Sequence, residues 1–418
     1  MSKNIYLEKI GKKAIIALGS FNKLNFKKRN EVLNQFSIYI KKHKKLILRE
    51  NKKDLKKVKK TKINIISRLK LDNKKIFQII KSLDEIIKFK DPIGKVLSSW
   101  KRPNGLIIKK ISIPIGIIGV IYESRPNVTS DVSALCFKTG NPVILRGGSE
   151  AYYSNKIFSD LFRKSLKKKN CNENYVQFIK SNDRRHVDYL LSKMQKYIDV
   201  IIPRGGKSLV RKVQQKSKVP IIGHLQGICH VYIDKKANLD MAIKIVRNAK
   251  MRNFNICGAA ETLLIDVKCL KTHCQPILNE LSNLGCKIIG DKMIKKNFQG
   301  EIKTATTSDW DTEYLSPTIS VKSVRGVEEA INHINNHGTS HTDSIVTENK
   351  LTAERFLLNV NSSIAVHNAS TQFADGGEFG YGAEIGISTG KLPPRGPVGL
   401  DQLTTYKYML HGKGQIRK

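Results

Sequence analysis

The sequence predicts an α/β protein made of two parallel sheets covered by helices. Three observations carry this. From about residue 114 apolar runs alternate with amphipathic stretches: IGIIGVIY then SDVSALCFKTG, PVILRGG then SEAYYSNKIFSDLFRKSL, YIDVIIPRGG then KSLVRKVQQKS. Strand, helix and strand in succession form a βαβ unit, and its crossover leaves neighbouring strands parallel. PVILRGGSEA and DVIIPRGGKSL repeat one device, an apolar strand, Arg-Gly-Gly and a helix opened by a small polar residue. A second α/β region follows about residue 245, through ETLLIDV, GCKIIG, SPTISVKSV and SIVTE.

Residues 1 to about 95 read as helices, because in VLNQFSIYIKKHKKLIL and IFQIIKSLDEIIKF the apolar residues recur three and four apart. The lysine-rich stretch 41–62 reads as a solvated helix face. At DPIGKVLSSWKRPNGLIIKKISIP the pattern changes to a hairpin around a Pro-Asn-Gly turn. The alternating region then begins, with VQFIKS, VPIIG and ICHVYID as further strands of its sheet. After the second region comes the glycine-rich VHNASTQFADGGEFGYGAEIGIS, and GLDQLTTYKYML reads as a strand-like tail suited to pairing with a neighbouring subunit. The expected organisation is a first domain over 1–245 with the hairpin 97–113 inserted, a second over 246–398, and a tail over 399–418.

No run of about 18 apolar residues occurs, so no membrane-spanning helix is expected, and the N-terminus lacks the apolar core and cleavage site of a secretory signal. A soluble cytoplasmic protein is the expectation. The formal charge of +40 comes from 75 Lys and Arg against 35 Asp and Glu. Only 17 are arginine, so 75 − 17 leaves 58 lysines, accompanied by abundant Asn and Ile. All three residue types have A/T-rich codons, so the excess reflects base composition, and no specific nucleic-acid partner is expected. Salt-sensitive attraction to polyanions follows from the charge alone.

Seven cysteines (136, 171, 229, 257, 269, 274, 286) are scattered, without CxxC pairs or Cys/His metal spacing. Reduced thiols are expected, with no metal. Cys136 and Cys229 sit in apolar sequence and read as buried. Cys257, in MRNFNICGAAETLL, stands between a polar stretch and a strand, where it is either a small core residue or a nucleophile. The two Arg-Gly-Gly turns suggest an anion site, since unpaired N–H groups at a helix start face a ligand and glycine lets its phosphate approach. No GxGxxG follows the first strand, so the usual dinucleotide fingerprint is absent.

Taken in order, PIGIIGVIYESRPNVTSDVSALCFKTGNPVILRGGSEA (114–151), YIDVIIPRGG (197–206), the Cys257 segment with ETLL, EYLSPTISVK (313–322), VEEAINHINNHGTSHTDSIVTE (327–348) and NASTQFADGGEFGYGAEIGISTGKLPPRGPVGLDQLTTYKY (368–408) resemble the gamma-glutamyl phosphate reductase family. That family is a branch of the aldehyde dehydrogenase superfamily. The resemblance implies two Rossmann-like domains with a small oligomerisation hairpin and tail, and a homo-oligomer. It implies NADPH-dependent reduction of L-glutamyl 5-phosphate to L-glutamate 5-semialdehyde and phosphate, the second step of proline synthesis from glutamate, with glutamate 5-kinase as a candidate partner. One departure stands out: Arg252-Asn253-Phe254 replaces the family's Pro-containing run before the nucleophile.

By the same resemblance Cys257 is the nucleophile, and the amide of Asn127, in ESRPNV, with the backbone N–H of Cys257 holds the developing oxyanion. A helix cap before SDVSAL is the alternative for Asn127. Arg146, Gly147, Gly148, Gly205 and Gly206 are expected to bind NADPH, with Glu313 near the nicotinamide ribose. Arg125, Ser370, Thr371 and Glu384 are candidate substrate contacts, each with an equally simple reading as cap, turn or surface charge.

Hydrolytic aldehyde dehydrogenases need a glutamate to activate water. The corresponding segment, GHLQGICHVYID (223–234), offers only the carboxylate of Asp234, which favours reduction over hydrolysis. A hydrolytic dehydrogenase is the alternative within the superfamily, and a polyanion-binding protein on an enzyme scaffold the alternative outside it.

Overall fold

In the computed structural model, which describes residues 4–58, 63–181 and 183–417, the chain divides into two units. The first comprises Met1–Gly223, Gly380–Gly386 and Val398–Lys418, and the second His224–Phe379 and Ile387–Pro397.

Helices Ile5–Gly19, Phe26–Lys42, Lys44–Lys57, Ile63–Leu69 and Asn73–Lys88 open the first unit. Asn4, Asn25 and Asp72 start three of them by accepting from the third residue on, which satisfies a backbone donor that the helix leaves open. The expected three-and-four spacing is seen in Asn73–Lys88, which buries Ile76, Ile79, Ile80, Leu83 and Ile86. The lysine-rich helix Lys44–Lys57 is more than a solvated face. It turns Ile47, Asn51 and Asp54 inward, while 59–62 of that stretch lie outside the described residues.

The hairpin forms as β1 (Val96–Lys101) and β2 (Ile107–Pro114), antiparallel, with Gly105 at φ +86° closing the turn. The first sheet follows: β3 (Ile118–Tyr122), β4 (Val143–Gly147), β5 (Val176–Phe178) and β6 (Val200–Arg204), all parallel in the order β5-β4-β3-β6. Tyr122 pairs with both Gly147 and Arg204, so the two Arg-Gly-Gly turns leave the same edge on either side of β3.

The second unit holds β7 (Cys229–Ile233), β8 (Ala260–Asp266), β9 (Lys287–Gly290), β10 (Ile302–Thr304), β11 (Thr318–Val324), β12 (Thr342–Val346) and β13 (Ile364–His367). They form one parallel sheet in the order β10-β9-β11-β8-β7-β12-β13. ICHVYID therefore belongs to the second sheet, between β8 and β12, and the division falls at Gly223/His224 instead of residue 245. An apolar run shows that a strand exists but not which sheet will take it. VPIIG makes only an isolated bridge, Ile221 to Ile201.

A two-stranded pair, β14 (Ile387–Ser388) and β15 (Gly396–Pro397), belongs to the second unit. The tail strand β16 (Thr404–His411) pairs antiparallel with β2 of its own chain, from Thr404 opposite Pro114 to His411 opposite Ile107. The chain thus leaves and re-enters the first unit near its end.

One buried charge pair ties the second sheet to the helix before Cys257. Lys250 Nζ lies 2.5 Å from Glu261 Oε2, both wholly buried, and Glu261 also accepts from the Leu315 N–H at 3.2 Å. Burial pushes the Glu261 carboxyl up to about 7, against the attraction of Lys250. Lys250→Met is expected to cost about 3–5 kcal/mol, because it leaves a carboxylate buried without its partner. The double variant Lys250→Met/Glu261→Leu should recover most of that loss in urea unfolding, and equal losses in the two variants would show that packing, not charge, matters here.

Candidate active site

Cys257 sits where a helix hands the chain to a central strand. Helix Leu239–Met251 is followed by a short loop, and Ala259 N–H donates to Ile256 O at 3.0 Å, so Cys257 and Gly258 occupy the middle of a tight turn before β8. The departing segment Arg252-Asn253-Phe254 is fastened by one side chain. Gln372 accepts from Arg252 Nε at 2.7 Å and donates to Ala249 O at 2.8 Å and Asn253 O at 3.3 Å. Beneath the turn, Gly227 approaches so closely that a Cβ there would fall 2.1 Å from Cys257 O and 2.7 Å from Cys257 Cβ. Only glycine fits at that position.

Two imidazoles meet the thiol. One ligating atom from each of His224, Cys257 and His341 lies within 4.8 Å of the other two, and the two rings stand edge to face with centroids 5.0 Å apart. Strand order produces the cluster: His224 precedes β7, Cys257 precedes β8 and His341 precedes β12, and β8-β7-β12 are adjacent and parallel. His224 Nδ1 is 2.7 Å from Ile387 O, which can only accept, so Nδ1 carries the proton and Nε2 holds the lone pair. His341 is wholly buried, with Nδ1 2.9 Å from Thr342 Oγ1 and 3.5 Å from the Cys229 sulfur.

This arrangement separates Cys257 from every other cysteine. All seven are free, and Cys257 alone is not classed as buried. Burial pushes Cys269, Cys274 and Cys286 up to about 12 and raises Cys136, Cys171 and Cys229 as well. For Cys257 burial acts in the same direction, but the neighbouring imidazoles of His341 and His224 outweigh it and hold the thiol well below the ordinary range. Cys136 and Cys229 are buried as expected, and the Cys229 thiol donates to Cys257 O at 3.1 Å.

A pH test of the thiol follows. An unperturbed thiol with a pKa of about 8.5 loses thiolate by roughly 80-fold between pH 8 and pH 6. Alkylation of Cys257 by iodoacetamide, followed by peptide mass spectrometry, should fall by less than about tenfold over that interval. His224→Ala and His341→Ala should each move the profile to higher pH, and a wild-type rise centred near 8.5 would refute the imidazole effect.

Neither histidine stands out in the sequence. His341 lies inside HINNHGTSHTDSI, and His224 opens the segment searched for a carboxylate. Asp234 is turned away from the thiol: it is buried, accepting from Tyr232 Oη at 3.1 Å and Thr347 Oγ1 at 2.8 Å. Among the described residues the segment thus places no carboxylate beside Cys257, and the ionisable side chain it brings to the thiol is the imidazole of His224.

Glu313 accepts from Gly227 N–H at 2.8 Å, one residue contact away from the Cys257 turn. Thr371 is buried and spends its hydroxyl on Gly258 O at 2.7 Å, while Ser370 Oγ accepts from Gln372 N–H at 3.2 Å. Both hydroxyls therefore support the loop around the thiol.

In the first unit Arg125, Asn127, Arg146 and the two glycine pairs gather at the C-terminal edge of the sheet. Arg125 stands at the N-cap position of helix Pro126–Lys138, and Asn127 Nδ2 donates to Asp131 Oδ2 at 3.1 Å. Burial, opposed by that bond, pushes the Asp131 carboxyl up to about 7. Glu384 lies 3.9 Å from Arg204.

Amides beside both Arg-Gly-Gly turns have carboxylate partners. Gly206 N–H donates to Glu123 Oε2 at 2.9 Å, and the helix after the other turn, Tyr152–Lys168, has its first amides bound by Asp54, at 3.0 Å from Tyr153 N and 2.8 Å from Ser154 N. Carboxylates distant in sequence accept from these amides. A Cβ at Gly147 would fall 2.2 Å from Asn155 Nδ2 and one at Gly205 2.6 Å from Glu123 Oε2, so a larger residue at either position would have to displace a neighbouring side chain.

No protein-family model matches the chain. The gamma-glutamyl phosphate reductase of Parvibaculum lavamentivorans is 50% identical over 354 residues, 85% of this chain and 83% of that protein. A crystal structure of gamma-glutamyl phosphate reductase from Thermotoga maritima superposes with a TM-score of 0.94 at 38% identity, covering 99% of this chain and 100% of that one. An acetylating aldehyde dehydrogenase from Geobacillus thermoglucosidasius shares the fold at TM-score 0.70 and 16% identity, over 99% of this chain and 98% of that one. With half of its residues shared over most of its length, and one backbone plan shared over all of it, the chain belongs to the gamma-glutamyl phosphate reductase family, on an aldehyde dehydrogenase-like fold.

Proposed function

We propose that the protein reduces L-glutamyl 5-phosphate to L-glutamate 5-semialdehyde and phosphate with NADPH, through a thioester on Cys257, as the second step of proline synthesis from glutamate. The observation that carries this reading is the setting of Cys257, whose sulfur lies within 4.8 Å of a ring nitrogen of both His224 and His341, while the other six thiols are buried. An acyl phosphate has a good leaving group, and a thiolate is the nucleophile that converts it to an enzyme-bound ester. His224 Nε2 takes the thiol proton, and its Nδ1–H bond to Ile387 O holds the ring in that tautomer.

The thiolate attacks the acyl carbon, the carbonyl oxygen takes the negative charge, and phosphate leaves. We assign oxyanion stabilisation to the Cys257 backbone N–H and the Asn127 amide. Bound NADPH supplies the hydride that reduces the thioester, and release of the aldehyde returns the thiolate. For the cofactor we assign Arg146 as the cation and Gly147, Gly148, Gly205 and Gly206 as the low edge, with Glu313 at the nicotinamide ribose. Arg125, Ser370 and Glu384 remain our choices for the substrate's carboxylate and amino group. Thr371 acts by positioning Gly258, given where its hydroxyl is spent.

Purified protein coupled to a glutamate 5-kinase with ATP and glutamate should consume NADPH in step with ATP, and NADH much more slowly. Absence of nucleotide oxidation under active kinase would overturn the proposal. Asn127→Ala should lower turnover by on the order of 10² if its amide serves the oxyanion. An unchanged turnover with a lowered melting temperature would leave Asn127 only its bond to Asp131.

We also propose a homo-oligomer assembled through the β1-β2-β16 sheet. Support comes from its exposed apolar side chains, Val96, Leu97, Trp100, Tyr406, Tyr408 and Leu410. Monomeric sedimentation at micromolar concentration would exclude it. Among the described residues no helix is long and apolar enough to cross a membrane, and a cytoplasmic location is part of the same proposal.

A further inference from the structure

The cluster around Cys257 is also a ligand set for a borderline-soft metal. It offers one sulfur and two imidazole nitrogens, the donors that suit zinc and exclude calcium and magnesium, which prefer oxygen. In a tetrahedral zinc site with bonds of about 2.0–2.3 Å the ligand atoms stand about 3.3–3.7 Å apart. The three atoms here already lie within 4.8 Å of one another, so a rotation of the Cys257 side chain and small ring shifts close the site. Three protein ligands leave a fourth position for water.

Two further observations point to a ligand. His341 is wholly buried and its Nε2 has no hydrogen-bond partner, which is costly unless something else satisfies it. His224 has the supporting contact that zinc-bound histidines use, with Nδ1–H donated to a backbone carbonyl. The contact that fixes the tautomer for the thiol fixes it equally for a metal. Nothing in the chain's cysteine and histidine spacing advertises this, because the three ligands come from the starts of three different strands.

We propose that His224, Cys257 and His341 bind one zinc(II) ion, which occupies the reactive thiol and reversibly silences the enzyme. The balance is simple. Zn²⁺ replaces the proton of the Cys257 thiol, the proton passes to solvent, the two imidazoles coordinate as neutral bases, and no oxidation state changes. Bound zinc and acylated Cys257 exclude each other, since both need the same sulfur lone pair.

The test uses the full-length protein freed of metal with EDTA, and cobalt(II) as the spectroscopic probe. One equivalent of Co²⁺ should give a sulfur-to-cobalt charge-transfer band with the strong visible absorption of tetrahedral cobalt, and Zn²⁺ should bleach it at one equivalent. Prior alkylation of Cys257 in the wild-type protein should abolish the signal, as should Cys257→Ala. His224→Ala should weaken affinity by more than about 100-fold, since a supporting contact to a ligand alone costs about 10–100-fold. In the same samples Zn²⁺ should slow iodoacetamide labelling of Cys257 by at least tenfold, and EDTA should restore it. A signal that survives Cys257→Ala, or no signal while the wild-type thiol still labels normally in excess zinc, would overturn the site. Both readouts are independent of catalysis, so their failure leaves the reductase reading to its own test.

Discussion

Cys257→Ala is expected to lower NADPH oxidation with kinase-generated glutamyl phosphate by on the order of 10⁴ or more, while leaving NADPH affinity within about twofold. The asymmetry follows from where the sulfur acts. Attack by the thiolate creates the ester on which every later step depends, and no neighbouring side chain replaces it: the only other thiol nearby, Cys229, is buried, raised by that burial and already donating to Cys257 O. The cofactor residues we assign lie mainly on the first sheet and owe nothing to the sulfur. Folding should also be spared, since Cys257 is partly exposed and meets its small cluster of Ile364, Ala374 and Ile387 from the side. Cys257→Ser tests the same idea more strictly, because an alcohol keeps the volume but does not ionise beside these imidazoles. Fluorescence titration of NADPH together with the coupled assay reads both quantities. Turnover within tenfold of wild type in either variant would remove the thioester from the mechanism.

Much of the architecture is written locally, and the exceptions share a cause. The helices of the N-terminal region follow from apolar spacing and Asx caps, the hairpin from Pro-Asn-Gly, and the strands from apolar runs between turn residues. What a run cannot state is its partner, so ICHVYID joins a different sheet from the one the preceding rhythm suggested. The same limit hid half of the site. Cys257 could be singled out by its flanks, because a polar loop before a strand is an unusual place for a core cysteine. His224 and His341 acquire meaning only once β8, β7 and β12 lie side by side, which sets the starts of three strands together. The Arg-Gly-Gly turns show the same limit from the other side. Their local chemistry favours an anion, but Asp54 and Glu123 arrive from elsewhere in the fold and take the amides first.

Run backwards, the reaction should need inorganic phosphate. Oxidation of glutamate semialdehyde with NADP⁺ leaves an acyl group on Cys257, and turnover waits until something removes it. Phosphate arrives as an anion and attacks without losing a proton. Water, with a pKa of about 15.7, must give one up to a base, and general-base help is worth about 10²–10⁴. No carboxylate stands ready in the segment 223–234, for Asp234, at the far end of β7, is held by Tyr232 and Thr347. The imidazole that does stand there, His224, has a ring nitrogen within 4.8 Å of the sulfur and serves it. With phosphate scavenged, about one equivalent of NADPH per active site should form in a burst, and added phosphate should then raise the steady rate by at least 10². Semialdehyde in equilibrium with its cyclic imine supplies the substrate, and absorbance follows the nucleotide. His224→Ala gives the experiment its second arm. Sustained phosphate-free turnover to free glutamate that disappears in this variant would make His224 a water-activating base, and the protein would then be a hydrolytic dehydrogenase instead of a reductase.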